Sequence, residues 1–269
     1  MVRSEGEVLR QVIVCSPEEE YFQVNNLEAH NIEHVADRQL APRQHLALRE
    51  TMHRAGAKII NMPELKGHPN SVFTRDTSLV IPNGFIRLRM GLLSRQGEED
   101  WMARALTDLG LEERGRIQPP GTVEGGDVIL AGDVAFIGLS CRSNQEGVDQ
   151  LREILLRAGF KVRIIPVPPP HLHLGGMMSL VSPEDIICTT EIYSPDYFSG
   201  FQVHLLPVRG AISANVICLG PGEVVVEASN LAAAEKLDQA GFRLHQLDLS
   251  EFVKGRGGPT CLILPVERG

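Results

Sequence analysis

Short apolar runs alternate along the chain with longer segments in which apolar residues recur at helical spacing. Short runs beside glycine, proline or asparagine are typical of buried strands, and two such runs around a tight turn predict a hairpin. The Asn83-Gly84 turn predicts the first hairpin, over residues 79–88. Further hairpins are predicted over residues 127–139, 177–189 and 216–227. Helices are predicted over residues 42–55, 98–109, 144–158, 194–200 and 230–240, and single strands over 12–14, 58–62, 161–167, 202–208 and 243–248.

One joint, in which a helix ends at a glycine and a strand begins two residues later, recurs along the chain. It lies at Gly56, Gly159 and Gly241, with a weaker copy at Gly110, while the unit between Gly159 and Gly241 has no marked joint. The repeat length of roughly 50 residues predicts a five-bladed α/β propeller of hairpin–helix–strand modules with pseudo-fivefold symmetry. Coincidence is the alternative, because a glycine between helix and strand is common, but the hairpin in each module favours a true repeat.

The composition is that of an ordinary water-soluble protein. Its 269 residues carry a net charge of −8, which disfavours nucleic acid as a partner and suits a small cationic substrate. No apolar run reaches the length of a membrane span, so no membrane partner is expected. The five cysteines are odd in number and form no Cys-x-x-Cys motif, which disfavours a disulfide framework. We expect a cytoplasmic protein with one catalytic domain over residues 1–269, and a homodimer stays an open expectation.

Four polar clusters lie where the predicted modules join. They are Phe-Thr-Arg-Asp at residues 73–76, Glu-Gly-Gly-Asp at 124–127, His-Leu-His-Leu-Gly-Gly at 171–176, and a glycine-rich loop that ends at Cys261. Elements at equivalent places in successive modules converge on the axis of a propeller. The clusters therefore predict a thiol, an imidazole and two carboxylates around one central pocket.

Each cluster also has a purely structural interpretation. Cys261 could be a buried thiol behind a turn, and Asp76 or Asp127 could cap a turn. His171 and His173 share a strand face and could begin a metal site, but no further ligand stands at zinc-like spacing. We therefore expect no metal and no cofactor, and we interpret His171 as the structural histidine of the two.

The four clusters together resemble the guanidino-modifying superfamily, the penteins, which holds arginine deiminase, the amidinotransferases and dimethylarginine dimethylaminohydrolase. Phe-x-Arg-Asp, Glu-Gly-Gly-Asp, His-Leu and Gly-Gly-Pro-x-Cys occur in the family's order over nearly the whole chain. The resemblance implies a five-bladed propeller with the active site on its axis. Within the superfamily the chain is most similar to dimethylarginine dimethylaminohydrolase, on the segments 89–95, 138–145 and 213–215.

Some positions depart from that hydrolase pattern. Arg75 and Glu124 follow the deiminase form, and Asn70 replaces an aspartate that is common in the hydrolases. Gly175 stands where deiminases carry an aspartate that grips the guanidinium and where hydrolases usually carry lysine. These departures leave the identity of the guanidine open.

The resemblance implies a hydrolase that cleaves a C–N bond of an Nω-methylated arginine or arginine and forms a ureido product such as citrulline. Cys261 would be the nucleophile, His173 the general acid and base, and Glu124 the residue that orients His173. Asp76 would grip the guanidinium, and Arg95 and Arg142 would bind the substrate carboxylate beside Phe73. Arginine deiminase, an amidinotransferase and a non-catalytic binding protein of the same fold are the alternatives.

Overall fold

The computed structural model describes residues 1–207, 210 and 212–269, and within them fifteen strands form five separate three-stranded sheets. The strands are β1 (Leu9–Cys15), β2 (Lys58–Met62), β3 (Ser78–Ile81), β4 (Gly84–Arg87), β5 (Glu113–Arg116), β6 (Val128–Ala131), β7 (Val134–Leu139), β8 (Lys161–Pro166), β9 (Met178–Leu180), β10 (Asp185–Thr189), β11 (Gln202–Leu206), β12 (Val216–Gly220), β13 (Glu223–Glu227), β14 (Arg243–Leu247) and β15 (Leu264–Arg268). The helices are α1 (Leu40–Arg54), α2 (Glu98–Asp108), α3 (Gln145–Arg157), α4 (Leu231–Gln239) and α5 (Ser250–Val253).

All five sheets have the same strand order and directions. The middle strand pairs antiparallel with one neighbour, through a hairpin in four of the sheets, and parallel with the other. A parallel pair needs a crossover connection, and α2, α3, α4 and α1 supply it in four modules. This arrangement confirms the predicted five-bladed α/β propeller. Within the described ranges, no helix is long and apolar enough to cross a membrane.

The fifth sheet joins the two ends of the chain. β15 pairs antiparallel with β1, with Val12 opposite Pro265 and Ile13 opposite Leu264, and β1 pairs in parallel with β2. The ring of modules is therefore closed by hydrogen bonds between the first and the last strand. Because Cys261 directly precedes β15, this closure also fixes the position of Cys261 at the axis.

The helices pack against the sheets through apolar stripes, as their periodicity predicts. In α3, Val148, Leu151 and Leu155 are fully buried, and the Asn144 side chain caps the helix by accepting a hydrogen bond from the Gly147 N–H at 2.9 Å. The interpretation of α2 needs a correction, because Leu109 is exposed and the charged Glu98 is buried in the first turn. Glu98 points inward to pair with an active-site arginine.

The third module differs from its prediction. Residues 194–200 form turns rather than the predicted short helix. Aromatic packing holds this connection between β10 and β11 in place. Phe198 is buried, and its ring stacks on Phe136 at 5.8 Å and on Tyr193 at 5.9 Å. The predicted strand 202–208 is confirmed as β11, except that Val208 lies outside the described residues.

The joint that the sequence analysis left unmarked in this module lies at Gly200. Its φ of +93° matches the left-handed φ values of Gly56, Gly110, Gly159 and Gly241, which lie between +85° and +97°. Gly200 is followed by Phe201 and then by β11, as Gly159 and Gly241 are followed by phenylalanine and a strand. The repeated Gly-Phe pair was the sequence signal for this joint.

The left-handed backbone at Gly200 can be tested by measuring how a substitution there changes the stability of the protein. A Cβ atom at Gly200 would meet no neighbour within 4 Å, so Gly200→Ala carries only the cost of a left-handed backbone. That cost is about 1–2 kcal/mol in the free energy of unfolding, measured by urea denaturation. Ser199→Ala, at the exposed neighbouring residue, is the control and should change stability by less than about 0.5 kcal/mol. Equal stability of the two variants would contradict the shared joint.

Candidate active site

Five turns, each directly before the first strand of a module, meet at the centre of the ring. Four of them are short 3₁₀ helices, Thr74–Asp76, Gly125–Asp127, Leu174–Gly176 and Pro259–Leu262, and the fifth ends at Asn215 before β12. Hydrogen bonds connect neighbouring turns: the Gly126 N–H donates to Asp76, and the Leu174 N–H donates to Asp127. The polar clusters of the sequence are therefore brought together as predicted from the repeat.

All seven predicted site residues line one cavity of about 350 Å³. They are Phe73, Asp76, Arg95, Glu124, Arg142, His173 and Cys261. The cavity is polar and contains both signs of charge. Each predicted role can therefore be compared with the bonds that its side chain makes.

His173 and Glu124 form a buried ion pair, with 2.7 Å between His173 Nε2 and Glu124 Oε2. Burial lowers the pKa of His173, but the charges of Asp76, Asp127 and Glu124 and the hydrogen bond to Glu124 outweigh it and raise the pKa to about 9. Burial raises the pKa of Glu124, but His173 and Arg142 outweigh it and lower the pKa to about 2. At neutral pH the pair is thus an imidazolium beside a carboxylate.

Glu124 is held in place by the backbone of the preceding module. Its Oε1 accepts hydrogen bonds from the N–H groups of Gly91 at 2.9 Å and Leu92 at 3.1 Å. Arg142 lies 3.6 Å from the same oxygen. Because one oxygen is fixed by these donors, the other is aimed at His173, as the predicted orienting role requires.

Cys261 stands on the turn before β15 and faces the cavity. The N–H of Gly258 donates to its sulfur at 3.4 Å. Burial and the charge of Asp76 raise the pKa of the thiol to about 11, against the opposite effect of Arg75 and Arg95. Without a ligand, therefore, Cys261 is a neutral thiol at physiological pH.

Arg95 is shared between two buried carboxylates. Its Nη1 donates to Asp76 at 2.5 Å, and its Nε and Nη2 donate to Glu98 at 3.0 and 2.7 Å. Nη2 also donates to the Phe73 carbonyl oxygen. Arg95 thus lines the cavity with most of its N–H groups engaged within the protein, and its role as a carboxylate ligand stays a prediction. Glu98 was not predicted, although an acidic residue three positions after an arginine was its signal.

Arg142 is positioned by Asp127. The Ser140 and Ser143 hydroxyls, on the loop that carries Arg142, each donate to Asp127 at 2.6 Å. Burial raises the pKa of Asp127 to about 6. Asp127 does not line the cavity and accepts hydrogen bonds from Ser140, Ser143 and the Leu174 N–H instead, so its role is to connect segments around the site.

The cavity mouth contains residues that the sequence analysis did not select. Arg256 lines the mouth, and its Nε donates to Glu33 at 2.9 Å. Arg256 and Asn31 face each other with left-handed φ values of +61° and +53°. The glycines on either side of Arg256 were the signal for an unusual backbone at this point.

Asn70 contributes an unpaired acceptor to the cavity wall. Its Nδ2 donates to the His30 carbonyl oxygen at 3.1 Å. Its Oδ1 is buried without a hydrogen-bond partner among the described residues. An unsatisfied buried acceptor in a cavity is available to a ligand N–H group.

The two histidines of the third cluster have separate partners. His171 Nε2 lies 2.9 Å from Glu191, and His171 does not line the cavity, in keeping with the predicted structural role. Ligand atoms of Asp76, Glu124 and His173 do lie within 4.8 Å of one another. Asp76 is paired with Arg95, however, and Glu124 with His173, so the donor set is engaged by cationic side chains.

A second compartment of about 340 Å³ adjoins the first on the other side of Cys261 and His173. Its wall has no carboxylate or lysine among the described lining residues. Arg256 lines this compartment, together with small, apolar and uncharged polar residues: Gly126, Leu172, Gly175, Gly176, Ile212, Asn215 and Thr260. Cys261 thus stands between a cavity whose wall contains carboxylates and a compartment whose described lining residues include none.

Proteins of known sequence and structure are similar to this chain over most of its length. A dimethylarginine dimethylaminohydrolase of Streptomyces coelicolor is 30% identical over 89% of this chain and 89% of its own length. One of Pseudomonas aeruginosa is 29% identical over 82% of this chain and 86% of its own. A solved structure of a Pseudomonas aeruginosa hydrolase of this kind with citrulline superposes with a TM-score of 0.84, at 26% identity over 96% of this chain and 99% of that one.

The match at the level of the family covers nearly the whole chain. The arginine deiminase family matches residues 11–199 and 211–268. This range includes every cavity residue described above. The chain therefore belongs to the arginine deiminase family, within the guanidino-modifying superfamily that its motifs indicate.

Proposed function

We propose that this protein hydrolyses a C–N bond of a guanidino substrate, an Nω-methylated arginine in the first place, and releases a ureido product such as citrulline. The observation that supports this most is the Cys261 thiol beside the His173–Glu124 ion pair, in a cavity that Asp76 also lines. Relatives named for the same reaction on dimethylarginine support it further. We also propose that residues 1–269 act as one catalytic domain in the cytoplasm, and a homodimer stays a prediction.

Substrate binding prepares the nucleophile. The guanidinium carbon is a weak electrophile because its charge is spread over three nitrogens, so it needs a thiolate and fixed anions. Asp76 and Glu124 supply the anions and accept hydrogen bonds from guanidinium N–H groups. The bound cation then lowers the pKa of the Cys261 thiol from about 11, which favours the thiolate.

The two half-reactions share His173. The Cys261 thiolate attacks the guanidinium carbon and forms a C–S bond, and the C–N bond breaks as His173 gives its proton to the leaving amine. A covalent thiouronium intermediate remains on the enzyme. His173, now neutral, takes a proton from water, the hydroxide forms a C–O bond, and the C–S bond breaks to release the ureido product and the thiol.

The far end of an amino-acid substrate meets the groups at the cavity mouth. Arg142 and Arg256 are the arginines there whose guanidinium groups are not shared between two buried carboxylates, and we propose them as carboxylate ligands. The unpaired Oδ1 of Asn70 is placed to accept an N–H of the substrate ammonium group. Arg95 would contribute to carboxylate binding if it exchanged its bond to Asp76.

Two alternatives have distinct readouts. An amidinotransferase shares the first half-reaction but transfers the amidino group to an amine, so ornithine release that depends on an acceptor amine would identify it. A non-catalytic binding protein would release no ureido product, although Cys261 could still be labelled by a haloacetamidine. Arginine deiminase differs only in the preferred substrate.

The second compartment favours Nω-methylated substrates. Its wall offers no anion to the outer guanidinium nitrogens, and an unpaired buried donor costs about 1–3 kcal/mol. A methyl group removes such a donor and can pack on Leu172 and Ile212, the apolar residues of a wall that also contains Arg256. We expect kcat/KM for Nω-methylated arginines to exceed that for arginine by about tenfold or more, measured as ureido product in a side-by-side screen with agmatine.

The blank of this screen is Cys261→Ser. Ile212→Asp would place a carboxylate in the compartment and should shift preference toward arginine, with Ile212→Ala as the matched control. Gly175→Asp is unsuitable, because a Cβ at Gly175 would lie 2.9 Å from the Gly126 carbonyl oxygen. If the unaltered protein prefers arginine, it is a short arginine deiminase.

The two histidines should differ in their effect on turnover. His173→Ala removes the proton donor and acceptor and should lower kcat by about 10²–10⁴-fold. His171→Ala removes a hydrogen bond to Glu191 outside the cavity and should lower kcat by less than about tenfold. Steady-state kinetics with thermal melting of both variants decides this, and an equal loss at both positions would reopen the interpretation of the pair as metal ligands.

The ligand-free thiol should react slowly at neutral pH. Because the pKa of Cys261 is about 11, its alkylation by neutral iodoacetamide should rise with pH and reach no plateau below about pH 10. The reaction is followed on the Cys261 peptide by mass spectrometry, since Cys141 is exposed and also reacts. Asp76→Asn removes a charge that raises this pKa and should move the profile to lower pH. A plateau below pH 8 in the unaltered protein would contradict the substrate-assisted thiolate.

A further inference from the structure

Asn215 joins the turn that carries the nucleophile to the turn that follows His173. Its Nδ2 donates to the Gly175 carbonyl oxygen at 2.8 Å and to Thr260 Oγ1 at 2.7 Å. Its Oδ1 accepts a hydrogen bond from the Thr260 N–H at 2.9 Å. The residue is 1% exposed, so water does not compete for these bonds.

The same side chain also shapes the loop before Cys261. A Cβ atom at Gly258 would lie 2.6 Å from Asn215, so the glycine allows the loop to pass directly over the amide. The Gly258 N–H in turn donates to the Cys261 sulfur. Asn215 Nδ2 itself lies 4.0 Å from that sulfur. The Asn215 amide is thus packed against Gly258 and lies near the Cys261 sulfur.

We propose that Asn215 is a positioning residue that sets the separation of Cys261 and His173. Its three hydrogen bonds connect it to Gly175, two residues after His173, and to Thr260, one residue before Cys261. None of the three bonds involves Asp76 or Glu124. The inference rests on the proposed function for its kinetic readout. Its physical content is a rigid connection between two modules whose catalytic residues must meet.

Loss of this connection should act on turnover more than on binding. A displacement of about 1 Å between reacting groups can lower a rate by about 10²-fold. Asp76, Arg142 and Phe73 belong to other modules, so the substrate should still bind. We expect Asn215→Ala to lower kcat by about 10²-fold and to change KM by less than about threefold.

Asn230→Ala is the matched control. Asn230 supports the same turn from outside, since its Nδ2 donates to the Ser213 carbonyl oxygen at 2.9 Å, and its Oδ1 caps α4 at Ala233. It makes none of the bonds to Gly175 or Thr260. If Asn215 only stabilised the turn, the two variants would lose equal activity at equal loss of melting temperature, and the proposal would fail.

Two further variants keep the test decisive if Asn215→Ala does not fold. Asn215→Asp keeps the acceptor for the Thr260 N–H and loses the donors, and it should show the same fall in kcat. Thr260→Val removes one partner and should be milder, and the double variant Asn215→Ala/Thr260→Val should lose no more than Asn215→Ala alone. Additive losses would contradict a shared connection.

Alkylation of Cys261 by 2-chloroacetamidine separates failure of this inference from failure of the proposed function. If the unaltered protein forms no ureido product from any guanidine, the proposed hydrolysis is wrong. The alkylation rate of Cys261 still reports on the geometry of the site, and it should fall by about tenfold or more in Asn215→Ala, which adds no charge beside the thiol, and stay within twofold in Asn230→Ala. Equal rates in both variants would overturn the positioning role.

Discussion

The burial of several charged side chains at the axis of the ring is the constraint on which the site depends. A buried charge is stable only when it is paired and hydrogen-bonded, and each charge here has a fixed partner. Glu124 is held by His173 and two backbone amides, and Arg95 is shared between Asp76 and Glu98. The carboxylates of the cavity are therefore in place before any ligand arrives, and a guanidinium group meets anions that need little rearrangement.

The buried charges also determine the protonation states of the two catalytic groups, His173 and Cys261. His173 lies among three carboxylates, which raise its pKa so that it keeps its proton at neutral pH. Burial and the charge of Asp76 raise the pKa of the Cys261 thiol, which therefore also keeps its proton. A proton donor and an unreactive thiol then coexist in the resting enzyme. This state should protect the nucleophile from indiscriminate alkylation until a cation enters, because Asp76, whose charge raises the thiol pKa, is also the proposed ligand of the guanidinium.

Sequence patterns predicted the ring of modules because hairpins and glycine joints are local features. They also predicted which side chains meet, since the order of the polar clusters follows the order of the modules. They could not show that Glu98 is buried beside Arg95, because a charged residue in the first turn of a helix is usually solvated. They missed the joint at Gly200, where aromatic packing replaces the helix, and they missed the unpaired oxygen of Asn70, which only tertiary burial reveals.

The pairing of β15 with β1 has a consequence for biosynthesis. β1 is made first, but its antiparallel partner is made after all four of the other modules, and Cys261 lies on the same late segment. During translation the emerging chain thus has an exposed strand edge and no nucleophile in place. Folding intermediates with an unpaired β1 are open to chaperones and to misassociation, whereas in the finished ring β1 is paired on both sides, with β15 and with β2.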